Sequence, residues 1–199
     1  MSTRTDLRRS LEGTAFRQHG FFTAAQALDV GYSYQAQKYH ADRGNWVRVD
    51  RGVFRLPNWP PSADDEYVRA CLRLGRDAVI SHETALAVHD LSDANPARIN
   101  VTVPGGRRER NGILSIHEGA VPPGDREDRD GWRVTTVERT LADVASSTSS
   151  QEHLTQAVRE ALANGVITPR RLRNRAAGLN NRAALRLERA VSTAVEEIQ

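Results

Sequence analysis

Cysteine is almost absent from this sequence: Cys71 is the only one in 199 residues. No internal disulfide and no cysteine-built zinc site can form, and a reducing, cytoplasmic setting is expected. Val68 and Leu72 place Cys71 in a helical apolar pattern, so it reads as a buried structural thiol rather than a nucleophile. Lysine is as scarce. Lys38 stands alone, and subtracting it from 28 basic residues leaves 27 arginines. No run of about 18 apolar residues occurs, so no membrane-spanning helix and no membrane partner are expected. The opening MSTRTDLRRSLEG lacks the apolar core of a secretory signal.

Catalytic signatures are missing too. There is no Walker-type phosphate loop, no G-x-S-x-G and no paired cysteine. His82-Glu83 and His89 invite a metal reading, but zinc helices place two histidines four residues apart, and these lie seven apart. Gly105-Gly106 follows a strand pattern without opening a helix, so it does not form a phosphate cradle. Arg139 and Asp143 have the i,i+4 spacing of an ordinary helical ion pair. No catalytic residue, cofactor or metal ligand is therefore assigned, and an enzyme in the middle region is the least supported reading.

What is present is unevenly distributed charge. Residues 1–60 carry 9 basic and 5 acidic side chains (+4), residues 61–130 carry 9 and 13 (−4), and residues 131–199 carry 10 and 7 (+3), which sum to the net +3. The positive ends suit a polyanion and the acidic middle does not.

Gly20 to Leu56 is the most informative stretch. Thr23 and Gln26 form a capping box for a helix from Ala24, and Gly31 suits its left-handed end. Ser33 caps a second helix from Tyr34 to about Arg43, closed by Gly44. Trp46, Val47 and Val49, the turn Asp50-Arg51-Gly52, and Val53, Phe54 and Leu56 then read as a β-hairpin. Leu7, Leu11 and Ala15 recur every four residues upstream, as in a helix packing on this pair. The order is that of a winged helix-turn-helix.

Asn58-Trp59-Pro60-Pro61-Ser62 marks a boundary. It predicts a winged helix-turn-helix domain over 1–58 and a second domain over 62–199. The second reads as helix 63–75 capped by Ser62, a strand at 78–80, and a helix from Ser81 through Leu91. Strands at 98–104, 113–117 and 132–135 follow. The capping box of Thr135 and Glu138 opens helix 137–146, and helices over 151–163, 169–177 and 182–198 end the chain. Gly105 to Gly112 reads as a mobile basic loop. The fold class is α+β: an N-terminal winged helix-turn-helix, then a small mixed sheet with helices and a helical C-terminal region. Leu187, Val191, Ala194, Val195 and Ile198 form a stripe on the last helix, expected to pack on its own domain.

On the second helix of the pair, Ala36 and His40 should face inward, leaving Tyr34, Gln35, Lys38 and Tyr39 outward. Glutamine suits adenine, and lysine suits guanine or phosphate. Ser33 and the helix-start amides suit phosphate. Arg48, Arg51 and Arg55 lie on or near the hairpin, with Arg51 at its tip. With Thr23 and Arg43 these are the candidate contacts to double-stranded DNA. Arg170, Arg171, Arg173 and Arg175 form a candidate second basic patch. It is also the basis of an alternative reading, a module that binds protein or RNA without specific DNA recognition.

The segments GFFTAAQA, the Gly31 turn, RGNWVRVDRGVFRLP, AVISHETALAVHDLSD, INVTVP and TTVERTLADVA occur in an order that resembles AbiEi-type antitoxins of type IV toxin–antitoxin systems. The resemblance spans most of residues 18–147. It implies a cytoplasmic bacterial regulator, associated with phage defence, whose winged helix binds inverted repeats in its own promoter and represses the operon. It also implies a second domain that counteracts a nucleotidyltransferase-type toxin. Carried over, Ser33 to Arg43 is the reading helix and Arg48 to Arg55 the wing. Two copies are expected on a two-fold operator. Tyr34, Gln35 and Gln37 depart from the more basic or apolar residues expected there, so the operator sequence is not implied. Similar N-terminal halves also occur in longer proteins ending in an endonuclease domain, for which no segment is expected here.

Overall fold

The computed structural model describes residues 3–106 and 112–198. Residues 107–111 of the expected basic loop lie outside them. Two compact units result: residues 1–78 with 128–132, and residues 79–127 with 133–199.

The first unit is a winged helix-turn-helix. Helix α1 (Arg4–Phe16) starts at a capping box of Thr3 and Asp6. Strand β1 (Phe21–Thr23) leads into α2 (Ala24–Val30), where the side chain of Thr23 accepts the Gln26 N–H and the Gln26 side chain returns to the Thr23 backbone. Gly31 ends α2 at φ +116°, a left-handed conformation that glycine adopts without steric cost. Helix α3 (Tyr34–Asp42) is capped by Ser33. Strands β2 (Val47–Asp50) and β3 (Val53–Arg55) form the wing, and the sheet order is β1-β3-β2. Gly20 precedes β1 at φ +81°, and a Cβ there would stand 2.4 Å from Trp59 Cγ, so the position admits glycine alone.

In the first unit one strand and one boundary differ from expectation. β1 had no sequence prediction. Three residues show no alternation, and Phe21-Phe22 reads equally as helix lead-in. Helix α4 (Asp65–Leu74) packs on β1 and β3 and clusters with the first unit, not with the residues after it. Its N-cap is Asp64; Ser62 only accepts the Asp64 N–H, at 3.3 Å.

The second unit carries strand β4 (Val79–Ile80), helix α5 (His82–Val88) and strands β5 (Ile99–Val103) and β6 (Leu114–Glu118). Strands β7 (Arg126–Arg129) and β8 (Trp132–Thr135) close a five-stranded sheet of order β6-β5-β4-β8-β7. β7, with its charged sequence REDR, was not anticipated, because it has no apolar alternation. Helix α5 ends at Val88, not at Leu91. Ser81 does not cap it with its side chain; its hydroxyl accepts from Thr102 Oγ1 at 2.8 Å inside the core. Helices α6 (Val137–Ser146), α7 (Gln151–Ala163), α8 (Pro169–Ala176) and α9 (Asn181–Ile198) follow. The cap of α6 is Thr136, one residue later than expected. Thr135 is buried and shares a 2.7 Å hydroxyl contact with Thr140.

α9 buries Ala183, Leu187, Ala190, Val191 and Ala194 against α6, α7 and α8, with Leu154, Val158 and Leu172 in the same core. Ile198, at the end of the stripe, is 49% exposed. Arg186 donates to the Ala145 and Ser147 carbonyls at 3.0 and 2.6 Å, tying α9 to the end of α6. Among the described residues no helix is long and apolar enough to cross a membrane.

The angle between α2 and α3 is held by Gln37. Its side chain is 3% exposed and its amide donates to the Ala24 and Tyr32 carbonyls at 3.0 and 3.1 Å. Gln37→Leu keeps the volume but strands both acceptors, so urea unfolding should show a loss of about 1–3 kcal/mol.

Candidate nucleic-acid interface

On a helix that turns about 100° per residue, Gln35, Tyr39 and Asp42 fall opposite the buried Gln37 and Lys38 lies on the flank. Tyr34 and Tyr39 are 69% and 51% exposed, and Gln35 and Lys38 are exposed with them. The inward side differs in part from expectation. Ala36 packs on the core and His40 stacks on Trp46 at 4.7 Å, but the most buried residue is Gln37. Its polar side chain hid this from the apolar pattern. Lys38 is bonded to Asp42 at 2.6 Å, an exposed i,i+4 pair that contributes little stability. Arg43 lies 5.5 Å from the Tyr39 ring.

Ser33 and Thr23 both act as helix N-caps, accepting from the backbones of Ala36 and Gln26. Ser33 is exposed, beside amides of the first turn of α3. On the wing, Arg48 lies over the Phe54 ring at 5.4 Å and Arg51 stands exposed at the turn. The acid at the wing, Asp50, faces Arg73 at 3.6 Å. The outward surface of α3 and the wing therefore presents amide, hydroxyl and guanidinium groups with its acidic side chains paired.

Arg55 does not join this surface. Its guanidinium pairs with Asp65 at 2.8 Å, donates to the Pro60 carbonyl at 3.0 Å and sits 4.5 Å from the Phe21 ring, with 18% of the side chain exposed. Strand alternation puts it on the inner side of the wing, where it joins β3 to α4.

The C-terminal arginines do not form a free patch either. Arg171 pairs with Glu138 at 2.8 Å and Arg173 with Glu188 at 2.9 Å. Arg175 makes a two-pronged bond to Asp125 at 2.7 and 2.9 Å. Only Arg170 of the four is exposed without such a pair. Asp125 also accepts from Arg139 at 3.1 Å, and Arg139 holds Asp143 at 2.7 Å. Hydrogen bonding from Arg175 keeps the Asp125 carboxyl below its ordinary pKa, whereas burial pushes Asp143 up. The alternative reading of a basic partner-binding tail loses most of its charge to these pairs.

The histidines of the metal reading separate. His89 Nε2 lies 2.7 Å from the Thr135 carbonyl, while His82 stacks on His117 at 3.6 Å between ring centres. Among the described residues no cluster of three ligating side chains forms. His82 sits at φ +53°, a strained conformation for a residue with a Cβ, with Ser81 Oγ 2.9 Å from its Nδ1. Glu83 pairs with Ser149. Asn100 and Thr84 complete the polar interior, with His117 Nε2 2.9 Å from Asn100 Oδ1. The His117 partner has no counterpart in local spacing, and sequence reasoning missed it. Burial, with the nearby His117 and Arg139, pushes the His82 pKa from 6.5 down to about 3.

Two outcomes follow from these placements. Arg55→Ala should lower stability by about 2 kcal/mol in a denaturant titration, because it strands the half-buried Asp65. Below pH 6.5 only the unfolded chain protonates His82, so stability is retained above that value and lost as pH falls toward 3. Denaturation across this window should show a component of roughly 1.4 kcal/mol per pH unit that His82→Gln flattens.

Comparison with known proteins agrees with this architecture. Residues 14–57 match the family described as transcriptional regulator, AbiEi antitoxin, and residues 77–191 match the AbiEi antitoxin C-terminal domain. No curated protein matches the chain. The crystal structure of the RV2827C protein from Mycobacterium tuberculosis is similar in fold, with a TM-score of 0.59 at 15% identity, covering 94% of this chain and 77% of that one. A transcriptional-regulator module followed by an antitoxin domain, in that order and over most of its length, places this chain in the AbiEi antitoxin family.

Proposed function

We propose that this protein is a cytoplasmic transcriptional autorepressor and antitoxin that binds inverted repeats in its own promoter and counteracts a nucleotidyltransferase-like toxin. The observation that carries the DNA-binding part is the shared outward surface of α3 and the wing, where Gln35, Lys38, Tyr34, Tyr39, Arg48 and Arg51 are all exposed on one module. A helix of this kind enters a major groove, with its first turn toward the base edges, and the wing lies along the adjoining backbone. Ser33 with the amides at the start of α3 supplies a phosphate site. Inverted repeats place two copies on the duplex. The antitoxin part rests on family membership, and a nucleotidyltransferase-like toxin is the partner that the resemblance implies.

The test is binding of the full chain to a duplex of its native upstream region and to a scrambled duplex of the same composition. The native duplex should bind more tightly, with a log–log salt slope near −4 to −5 from about 4–6 neutralised phosphates. Arg51→Ala should weaken both duplexes alike and reduce the slope by about 1. Equal affinity for native and scrambled DNA would overturn the repressor assignment. Co-expression with a nucleotidyltransferase encoded beside the gene tests the antitoxin part separately, by rescue of growth.

A further inference from the structure

Side chains in a major groove are limited by the edges they match. Arginine is the commonest reader of guanine, through O6 and N7. The glutamine amide fits N6 and N7 of adenine, and apolar carbon finds a match only in the thymine methyl group. Helix α3 has no arginine before Arg43, its C-terminal cap. The cation on its outward face, Lys38, has the Asp42 carboxylate at 2.6 Å, so engaging a guanine would require breaking that exposed pair. That leaves Gln35, Tyr34 and Tyr39 in the first two turns, none with a side-chain hydrogen bond among the described residues. Two exposed rings flanking an amide form an unusual outward face for a short helix. Tyr39 is held in place by edge contact with His40 at 5.6 Å and by Arg43 at 5.5 Å.

The wing points the same way by a different mechanism. Arg51 stands at the tip of a two-stranded hairpin, and its guanidinium has no partner among the described residues. An unpaired arginine on a narrow projection is favoured in a narrow minor groove, which is a property of A·T tracts.

We propose that each half-site of the operator has an A·T-dominated core, read as adenine by Gln35 and as thymine methyl groups by Tyr34 and Tyr39, with Arg51 in an adjoining narrow minor groove. This rests on the DNA-binding reading above and adds to it the base composition that the site selects.

The experiment is selection of bound duplexes from a randomised pool by the full chain, followed by affinity measurements on the winning sequence with altered bases. A·T-rich cores should be enriched. Replacing core thymines with uracil removes only the methyl groups and should weaken binding ~5-fold or more; replacing core adenine with 7-deazaadenine should do the same. Gln35→Ala, a change at an exposed position, should abolish the 7-deazaadenine effect and leave the uracil effect. Enrichment of G·C cores, or indifference to uracil, overturns the proposal while leaving specific DNA binding intact. Salt-dependent binding with no enrichment overturns it together with the repressor assignment, and absence of duplex binding removes the DNA-binding reading itself.

Discussion

Trp46 is the residue around which the winged helix closes. Its indole is 6% exposed and meets Phe22 of β1 at 5.0 Å, Tyr32 of the α2–α3 turn at 5.1 Å, His40 of α3 at 4.7 Å and Phe54 of β3 at 5.7 Å. Strand, turn, helix and wing each contribute one ring to it. The contacts with Phe22 and Tyr32 are edge-to-face and that with His40 is stacked, and such ring pairs add directional preference to the apolar area they bury. Trp46 also stands at the junction where α3 ends and the wing begins, and its backbone N–H donates to the His40 carbonyl at 3.2 Å. The outward faces of α3 and the wing are thus fixed in direction by the same buried cluster. The proposed reading of a duplex calls for such rigidity, because a misplaced side chain cannot reach a base edge.

Arginine serves two ends in this chain. In the wing and α3, Arg43, Arg48 and Arg51 lie at the surface, two of them laid over aromatic rings. In the second unit it is structural mortar. Arg139 and Arg175 converge on Asp125, Arg171 and Arg173 bridge to neighbouring helices, and Arg186 gathers carbonyls at the end of α6. The planar fork of guanidinium suits the two-pronged contact to Asp125, a geometry that a single ammonium nitrogen does not match. With a single lysine in the sequence, both duties fall to the same residue type.

The helices were largely legible in the sequence. The bounds of α6 and α7 coincide with prediction, and those of α2, α3 and α9 fall within a residue or two. β7 and β1 were not legible. Arg126 to Arg129 becomes a strand because β8 offers it an edge, and Phe21 to Thr23 because β3 does. β3 lies far from β1 along the chain, outside the windows over which periodicity is read. β8 follows β7 across only Asp130-Gly131, and there the charged sequence REDR hid the hairpin. The caps show the same limit. Ser81 has the composition of an N-cap, but its hydroxyl is claimed by Thr102, 21 residues away.

Sequence alone determined the features that depend on a few consecutive residues: the capping box of Thr23 and Gln26, the left-handed Gly31, the Ser33 cap and the wing turn at Arg51. Their hydrogen bonds close within three or four positions, so residue type is enough. The tertiary structure alone decided which candidate side chains are available. Arg55 and Arg51 are equivalent in the sequence, yet one meets Asp65 and Phe21 and the other meets none. Arg175 looked like surface charge until Asp125, 50 residues earlier, was brought against it. Gln37 turned inward because two carbonyls await it. An ion pair or a buried amide is a statement about two distant places in the chain, and only folding brings them together.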